Sequence, residues 1–164
     1  RPVVLLQIGD SPALANLAPV AKAQLERIGL KVEMQDVDSQ TLLSRVVRKE
    51  PIEAGGWNLT LSSAGIVDVL NPVTSLFLDA SCGKAAPGWP CDARIEELRD
   101  AFSRETDPAR QKQIADEIQA RAAHVGTHYP LGEWYGASAV STKTKGWLRP
   151  PSASVFWGVE RSGD

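Results

Sequence analysis

The chain opens with an apolar run that predicts a buried strand. Positions Val3 to Ile8 are β-branched or aliphatic apart from Gln7 and show no alternation, which is typical of a strand covered on both faces of a parallel sheet. Ser11 followed by Pro12 then predicts the first turn of a helix. The apolar face expected for this helix recurs at spacings of four, four and three: Leu17, Ala21, Leu25 and Ile28.

Strand and helix patterns continue to alternate up to residue 61. Pro19 leaves two alternatives for the first helix, a kink or a start near Asn16, and Gly29 predicts where it ends. Lys31 to Gln35 alternates as a second strand does. Asp38 is expected to cap a second helix, and the apolar positions of that helix are Leu42, Leu43, Val46 and Val47.

A third strand is predicted from Trp57 to Leu61, after a break rich in proline and glycine. The resulting order β-α-β-α-β predicts an α/β fold with a mostly parallel sheet flanked by helices. Ser62 to Asn71 is then expected to be a loop beyond the carboxyl end of the third strand, which is where ligands bind in open parallel sheets. Pro72 predicts a short helix through Leu78.

The remainder of the chain predicts two helices followed by strands. Asp92 is expected to cap the first of these helices, and either Thr106 or Asp107 the second. Their apolar positions are Ile95, Leu98, Phe102, Ile114, Ile118 and Val125. Strands are predicted for Tyr129 to Val140 and for Lys145 to Leu148, and Pro150-Pro151 separates them from an exposed apolar pair, Phe156-Trp157.

Composition narrows the class of protein. Of 164 residues, 43% are hydrophobic and 23% are charged, which is typical of a packed domain. A net charge of −2 excludes a bulk polyanion-binding surface but leaves a local basic patch open, and no nucleic-acid partner is expected. No apolar run approaches the roughly 20 residues that cross a bilayer. The chain begins with Arg1, and we expect a mature or excised piece of a longer protein.

The two cysteines are separated by a loop rich in glycine and proline. That loop can bring Cys82 and Cys91 together, and a disulfide there would contribute roughly 2–3 kcal/mol and indicate an oxidising compartment. The alternative is a pair of unrelated buried thiols. Two cysteines do not make a structural zinc site, and no metal or other cofactor is expected.

No catalytic motif stands out. His124 and His128 are four positions apart, but Gly126 between them argues against a shared helical face, and no glutamate follows His124 as in zinc proteases. Serine-hydrolase and phosphate-binding glycine motifs are absent from the sequence. We therefore do not expect an enzyme.

Asp68 is the candidate for ligand binding. It lies within an apolar stretch, Gly65 to Leu70, where an unpaired carboxylate costs free energy. A ligand ammonium or guanidinium group would satisfy it. The alternatives are a helix cap for the turn at Pro72 or a pair with an arginine of the same chain.

Several short motifs, in order, resemble family 5 extracellular solute-binding proteins, the dipeptide, oligopeptide and nickel receptors of ABC importers. The matching segments are Gln24 to Glu33, Asp68 to Pro72, Cys82 with Trp89-Pro90-Cys91, Ile95 to Phe102, Thr106 to Ile118, Tyr129 to Leu131 and Lys145-Gly146. Together they extend over nearly the whole chain.

This resemblance implies the C-terminal lobe of a receptor of the type II periplasmic-binding-protein fold. Residues 1–150 would form that lobe, and residues 151–164 would return toward a missing N-terminal lobe of the same protein. The implied location is the bacterial periplasm. The implied partners are a small peptide-like or cationic solute, which binds between the lobes, and an ABC permease in the membrane.

The resemblance also assigns roles to residues. Asp68 would hold the α-ammonium group of a peptide, and the same cleft wall would contain Ser62, Ser63, Ala64 and Gly65. Gly65 departs from the aromatic residue frequent at that position, which leaves room for opines, sugars or other cationic solutes. Three aromatic residues could face the cleft but are expected to pack in the core: Trp57, Trp134 and Tyr135.

Two other classes of protein remain as alternatives. One is a cytoplasmic transcription regulator whose sensor domain has the same fold, and the other is a small α/β hydrolase. A disulfide between Cys82 and Cys91 would favour an exported receptor, whereas free thiols would favour the cytoplasmic regulator. A hydrolase would require a catalytic cluster around one of the two histidines.

Overall fold

A computed structural model of the chain describes residues 1–148 and 155–161. The chain divides into two compact units, Arg1–Ser63 and Ala64–Asp164. The predicted division into a lobe over residues 1–150 and a tail over 151–164 stays a prediction. Among the described residues, none of the helices has both the length and the apolar character that a membrane span requires.

The first unit is built on a three-stranded parallel sheet. Strand β1 (Val3–Ile8) lies in the centre, between β2 (Val32–Val37) and β3 (Leu59–Thr60). Helix α1 (Pro12–Arg27) connects β1 to β2, and α2 (Ser39–Val46) follows β2. The predicted α/β class and parallel order are confirmed, although the third strand is shorter than the predicted Trp57 to Leu61.

Alternate residues of β1 supply two separate apolar clusters, as a strand buried on both faces must. Leu5 packs with Ala18 of α1 on one face. Val4 and Leu6 pack with Leu42 of α2 on the other face. This double covering explains why the β1 sequence is almost uniformly apolar.

The apolar face predicted for α1 is partly wrong. The helix begins at Pro12 and continues through Pro19, which lies on its exposed side, so the buried positions are Leu14, Ala18 and Ala21. Ile28 is 75% exposed because the helix has already ended. Gly29 adopts φ +90°, and the amide of Leu30 donates to the carbonyl of Leu25, a glycine-dependent helix end.

Helix α2 begins at the predicted cap but buries fewer residues than predicted. The Asp38 carboxylate accepts a hydrogen bond from the amide of Thr41, 2.9 Å away. Leu42 is buried, but Leu43 and Val47 are exposed. The helix is only eight residues long, so one apolar stripe is enough to hold it against the sheet.

The second unit is mainly helical up to Val125, and its described strand pairing is antiparallel and lies near its end. Helices α3 (Ile66–Val69), α4 (Ala93–Arg104) and α5 (Pro108–Val125) are joined by turns and by 3₁₀ segments at Leu76–Leu78 and Cys82–Lys84. Asp92 caps α4 as predicted, because its carboxylate accepts a hydrogen bond from the amide of Ile95. Asp107 caps α5 and accepts from the amide of Arg110.

Helices α4 and α5 enclose the core of this unit. Its buried members are Leu78, Ala80, Ile95, Leu98, Ile114, Ile118 and Ala122, with Phe102 packed against them. Val125 ends α5 and is partly exposed, because Gly126 turns the chain away at φ +72°. The helix predicted from Pro72 to Leu78 is only a turn followed by the short segment Leu76–Leu78.

The strand predicted from Tyr129 to Val140 is wrong. These residues form no regular secondary structure and pair with no described strand, and their large apolar side chains are exposed. The predicted strand at Lys145 to Leu148 is reduced to β4 (Thr144–Lys145), which pairs antiparallel with β5 (Glu160–Arg161). The predicted break at Pro150-Pro151 lies outside the described residues.

Candidate functional site

Asp68 lies in the single turn of helix α3, in the segment where the sequence predicts an irregular loop. Its amide donates to the carbonyl of Gly65 at 3.0 Å. Its carboxylate is exposed and makes no hydrogen bond or ion pair with any residue that the structure describes. Neither predicted alternative, a cap for the following turn or an arginine pair, is present among these residues.

A different residue holds the turn after α3. The side-chain oxygen of Asn71 accepts from the amide of Val73 at 2.8 Å, and its carbonyl accepts from the amides of Thr74 and Ser75. Such a turn, in which asparagine binds the backbone two residues on, needs no second carboxylate. The Asp68 carboxylate is therefore available for a cation.

Exposed apolar side chains flank Asp68. Ile66 and Val67 precede it, and Leu70 follows it with 69% of its surface exposed. Leu76, in the next short helix, is exposed as well. A carboxylate among exposed apolar groups can contact a ligand that carries both a positive charge and apolar parts.

The other predicted site residues are distributed between the two units. Gly65 precedes α3 with an extended backbone, and Ala64 before it is exposed. Ser62 and Ser63 are exposed as well, but they are the last residues of the first unit, just beyond β3. The structure thus brings Ala64, Gly65 and Asp68 together in one unit.

Sequence reasoning missed an arginine that supports this segment. The guanidinium of Arg99, on α4, donates to the carbonyls of Pro72 at 3.0 Å and Val73 at 2.7 Å. It also binds the carboxylate of Glu96 at 2.6 Å and lies 3.7 Å from that of Asp79. Its position on the buried side of α4, among apolar residues, was the available signal.

Two carboxylates link α4 to the chain before it. Glu96 accepts from the amide of Ala80 at 2.8 Å. The pKa of the Asp79 carboxyl is lowered by hydrogen bonding from Ser81 and, to a lesser degree, by the charge of Arg99. The segment that leads from the Asp68 turn to the cysteine loop is therefore fastened to α4 at several points.

Cys82 and Cys91 form a disulfide, which confirms the predicted pairing. Ser81 and Cys91 also form an isolated antiparallel bridge. Asp92, directly after the disulfide, caps α4 and accepts from Arg121 of α5 at 2.7 Å. This arginine lowers the pKa of the Asp92 carboxyl, and Asp92 in turn raises the pKa of Arg121.

The two histidines do not share a helical face. His124 lies in the last turn of α5, whereas His128 follows the helix end at Gly126. A ring nitrogen of His128 is 3.0 Å from the Thr127 hydroxyl, and its ring stacks on Phe77 at 5.3 Å. No group of three or more potential metal-binding side chains occurs within residues 1–148 and 155–161.

The expectation that the aromatic residues pack in the core is correct only for Trp57. Its ring is half-buried against Val4, Leu6 and Leu42, and its indole N–H donates to the carbonyl of Val46 at 3.1 Å. Trp134 and Tyr135 are exposed, the latter by 93%, because their segment joins no sheet. The predicted exposure of Phe156 and Trp157 is confirmed.

Comparison with known proteins agrees with the motifs. No family model matches the chain. The chain is 28% identical over 160 residues, 98% of its length, to a probable peptide ABC transporter periplasmic-binding protein, y4tO, of Sinorhizobium fredii (strain NBRC 101917 / NGR234). The predicted resemblance to importer receptors is confirmed. The chain spans 30% of the length of that relative.

Proposed function

We propose that this chain is part of the solute-binding component of a bacterial ABC importer and acts in the periplasm. The observation that carries this proposal is the similarity along 98% of the chain to a protein named as a peptide ABC transporter periplasmic-binding protein. The proposed role is capture of a solute, without chemical conversion, and delivery to a membrane permease.

The proposed mechanism requires a second lobe. The chain corresponds to 30% of the relative's length, and we propose that another part of the same protein supplies the N-terminal lobe. A solute that contacts both lobes stabilises the closed state only, so binding shifts the population toward the form that the permease recognises. A solute held by one lobe alone would not drive closure.

Asp68 is the proposed contact for a positively charged group of the solute. Its carboxylate is exposed and without a partner among the described residues, and it can accept from an ammonium group such as the α-amino group of a peptide. A charge-assisted hydrogen bond of this kind is about twice as strong as a neutral one. Ser62, Ser63, Ala64 and Gly65 are proposed to line the same binding region.

The disulfide supports export. A bond between Cys82 and Cys91 fits the oxidising periplasm, whereas thiols of a cytoplasmic regulator would stay reduced. No observation favours the regulator or the hydrolase that the sequence leaves open.

The proposal is tested by calorimetry on the whole receptor that contains this chain. Trialanine, which has a free α-ammonium group, is compared with N-acetyl-trialanine, which lacks that charge. We expect trialanine to bind more tightly, and Asp68→Asn to weaken its binding about 10- to 100-fold, the range for loss of a hydrogen bond to a charged group.

Asp116→Asn is the matched control, because Asp116 is an exposed carboxylate on α5 whose one ion pair within the described part of the chain is with Lys112 on the same surface. This variant should bind trialanine as the unmodified receptor does. Equal affinities of the unmodified receptor and of Asp68→Asn for trialanine would show that Asp68 does not contact the solute. Failure of both peptides to bind would contradict a peptide-like solute.

A further inference from the structure

The Arg99 guanidinium is largely buried and holds backbone atoms of another segment. Only 13% of its side-chain surface is exposed. Its Nε and one terminal nitrogen donate to the carbonyls of Pro72 and Val73, which lie 27 and 26 positions earlier in the chain. Its other terminal nitrogen binds the carboxylate of Glu96, which offsets the cost of burying the charge.

The two carbonyls belong to the turn that directly follows α3. Within α3, the amides of Asp68 and Leu70 donate to the carbonyls of Gly65 and Ile66. Asn71 then begins a turn in which its side chain and carbonyl accept hydrogen bonds from amides as far as that of Ser75. Ser75 is almost fully buried. The chain from Gly65 to Ser75 therefore contains two adjacent sets of local hydrogen bonds, one in α3 and one in the turn. Arg99 fastens the turn to α4.

A single helical turn is not stable without such support. Helix nucleation is unfavourable, and isolated helices much longer than α3 are marginal in water. The side chains of α3 supply little packing, since Ile66 and Val67 are exposed and Val69 is half-buried. Besides the contact of α3 with the short segment Leu76–Leu78, the hydrogen bonds of the following turn, and Arg99 behind them, support the position of Asp68.

The chemistry of arginine suits this position and that of lysine does not. The planar guanidinium presents its donors in a fixed fork, so it can bind two neighbouring carbonyls on one side and a carboxylate on the other. A lysine ammonium carries the same charge but is a single point with three donors on a flexible stem. Arg99→Lys thus keeps the charge and loses the geometry.

We propose that Arg99 is a positioning residue for Asp68, which it serves by fixing the turn from Asn71 to Ser75. This inference rests on the proposed function in so far as Asp68 contacts the solute. Arg99 itself contacts no solute in this proposal.

The first experiment measures backbone order in this chain by NMR relaxation. Asn71→Ala and Arg99→Lys are each expected to lower the backbone order parameters S² of residues 66–75 from about 0.85 toward about 0.6. Arg104→Lys is the matched control, because Arg104 lies on the same helix and, among residues 1–148 and 155–161, forms an ion pair only with exposed Asp100. Unchanged order parameters in Arg99→Lys, with the protein folded by circular dichroism, would overturn the proposal.

Asn71→Ala keeps the test decisive if Arg99→Lys does not fold. Asn71 is exposed and removal of its side chain frees only the amide of Val73, so the variant loosens the same turn without a change in α4. If this variant leaves residues 66–69 as ordered as before, the turn does not hold α3, and the proposed link from Arg99 to Asp68 is wrong.

The second experiment is a double-mutant cycle on trialanine affinity in the whole receptor. Arg99→Lys should weaken binding about tenfold when Asp68 is present and less than about twofold in the Asp68→Asn background, because coupled residues are not additive. Equal losses in both backgrounds would indicate a general structural role and refute positioning of Asp68.

The two proposals fail in different ways. If Asp68→Asn does not change affinity, the proposed site is wrong, while the order parameters still decide whether Arg99 fixes the turn. If Asp68→Asn weakens binding but Arg99→Lys does not, the site stands and the positioning role is refuted.

Discussion

The disulfide between Cys82 and Cys91 offers a direct measurement of how the second unit is stabilised. Its closed loop contains ten residues counted from one cysteine to the other, for which the chain-entropy relation gives about 2.7 kcal/mol at 25 °C. The gain arises because the crosslink restricts the unfolded chain. We therefore expect a double variant, Cys82→Ala with Cys91→Ala, to unfold more easily by about this amount.

The assay is urea unfolding of the oxidised chain, of the chain with dithiothreitol, and of the double variant. The reduced chain and the variant should lose the same free energy of unfolding, and dithiothreitol should have no effect on the variant, which serves as the control for the reagent. Native-state hydrogen exchange, read by peptide, should place the loss in Ala64 onward and leave Arg1–Ser63 unchanged, since the first unit contains neither cysteine.

Two results would refute this reasoning. Identical unfolding free energies for oxidised and reduced chains would show that the loop is already restricted without the crosslink. A loss spread equally over both units would show that the disulfide acts on more than the segment before α4.

The remaining predictions concern the core, an ion pair and the isolated chain. Ile118→Ala should lower the free energy of unfolding by about 2–5 kcal/mol, because it opens a cavity in a fully buried site, whereas Val125→Ala at the exposed end of α5 should cost far less; urea titration compares them. The hydrogen bond from Arg121 lowers the pKa of the Asp92 carboxyl from its ordinary value of 3.8 in the folded chain, so the stability that this ion pair contributes is present above pH 3.8 and is lost as the pH falls further. Asp92→Asn, which keeps the helix cap, should therefore make the free energy of unfolding less dependent on pH in acid. An unchanged dependence would contradict a stabilising ion pair. The isolated chain should bind trialanine weakly or not at all by calorimetry, and micromolar binding would contradict the need for a second lobe.

Local sequence signals predicted the elements that depend on neighbouring residues. Asp38 and Asp92 were recognisable as caps because a cap involves only the first helical turn. The run from Val3 to Ile8 predicted a strand buried on both faces, since every residue in it except Gln7 is suited to an apolar environment.

Features that depend on distant partners were not predictable. The segment from Tyr129 to Val140 has strand-like composition, but a strand also needs a neighbour, and none of the described strands pairs with it. Arg99 is one of several arginines on amphipathic helices, and its role depends on a turn that lies 27 positions earlier. Asp68 was recognisable as unusual, whereas the helical turn around it was not.

The sequence separation of the contacting elements within each unit has a consequence for the order in which the units fold. Helices α4 and α5 are consecutive in sequence and pack on each other through one core. Strand β1 must instead pair with residues 29 and 54 positions later, Val3 with Val32 and Leu5 with Leu59. Because contacts between distant residues form slowly, the helical hairpin should gain protection from exchange before the sheet does when the chain refolds.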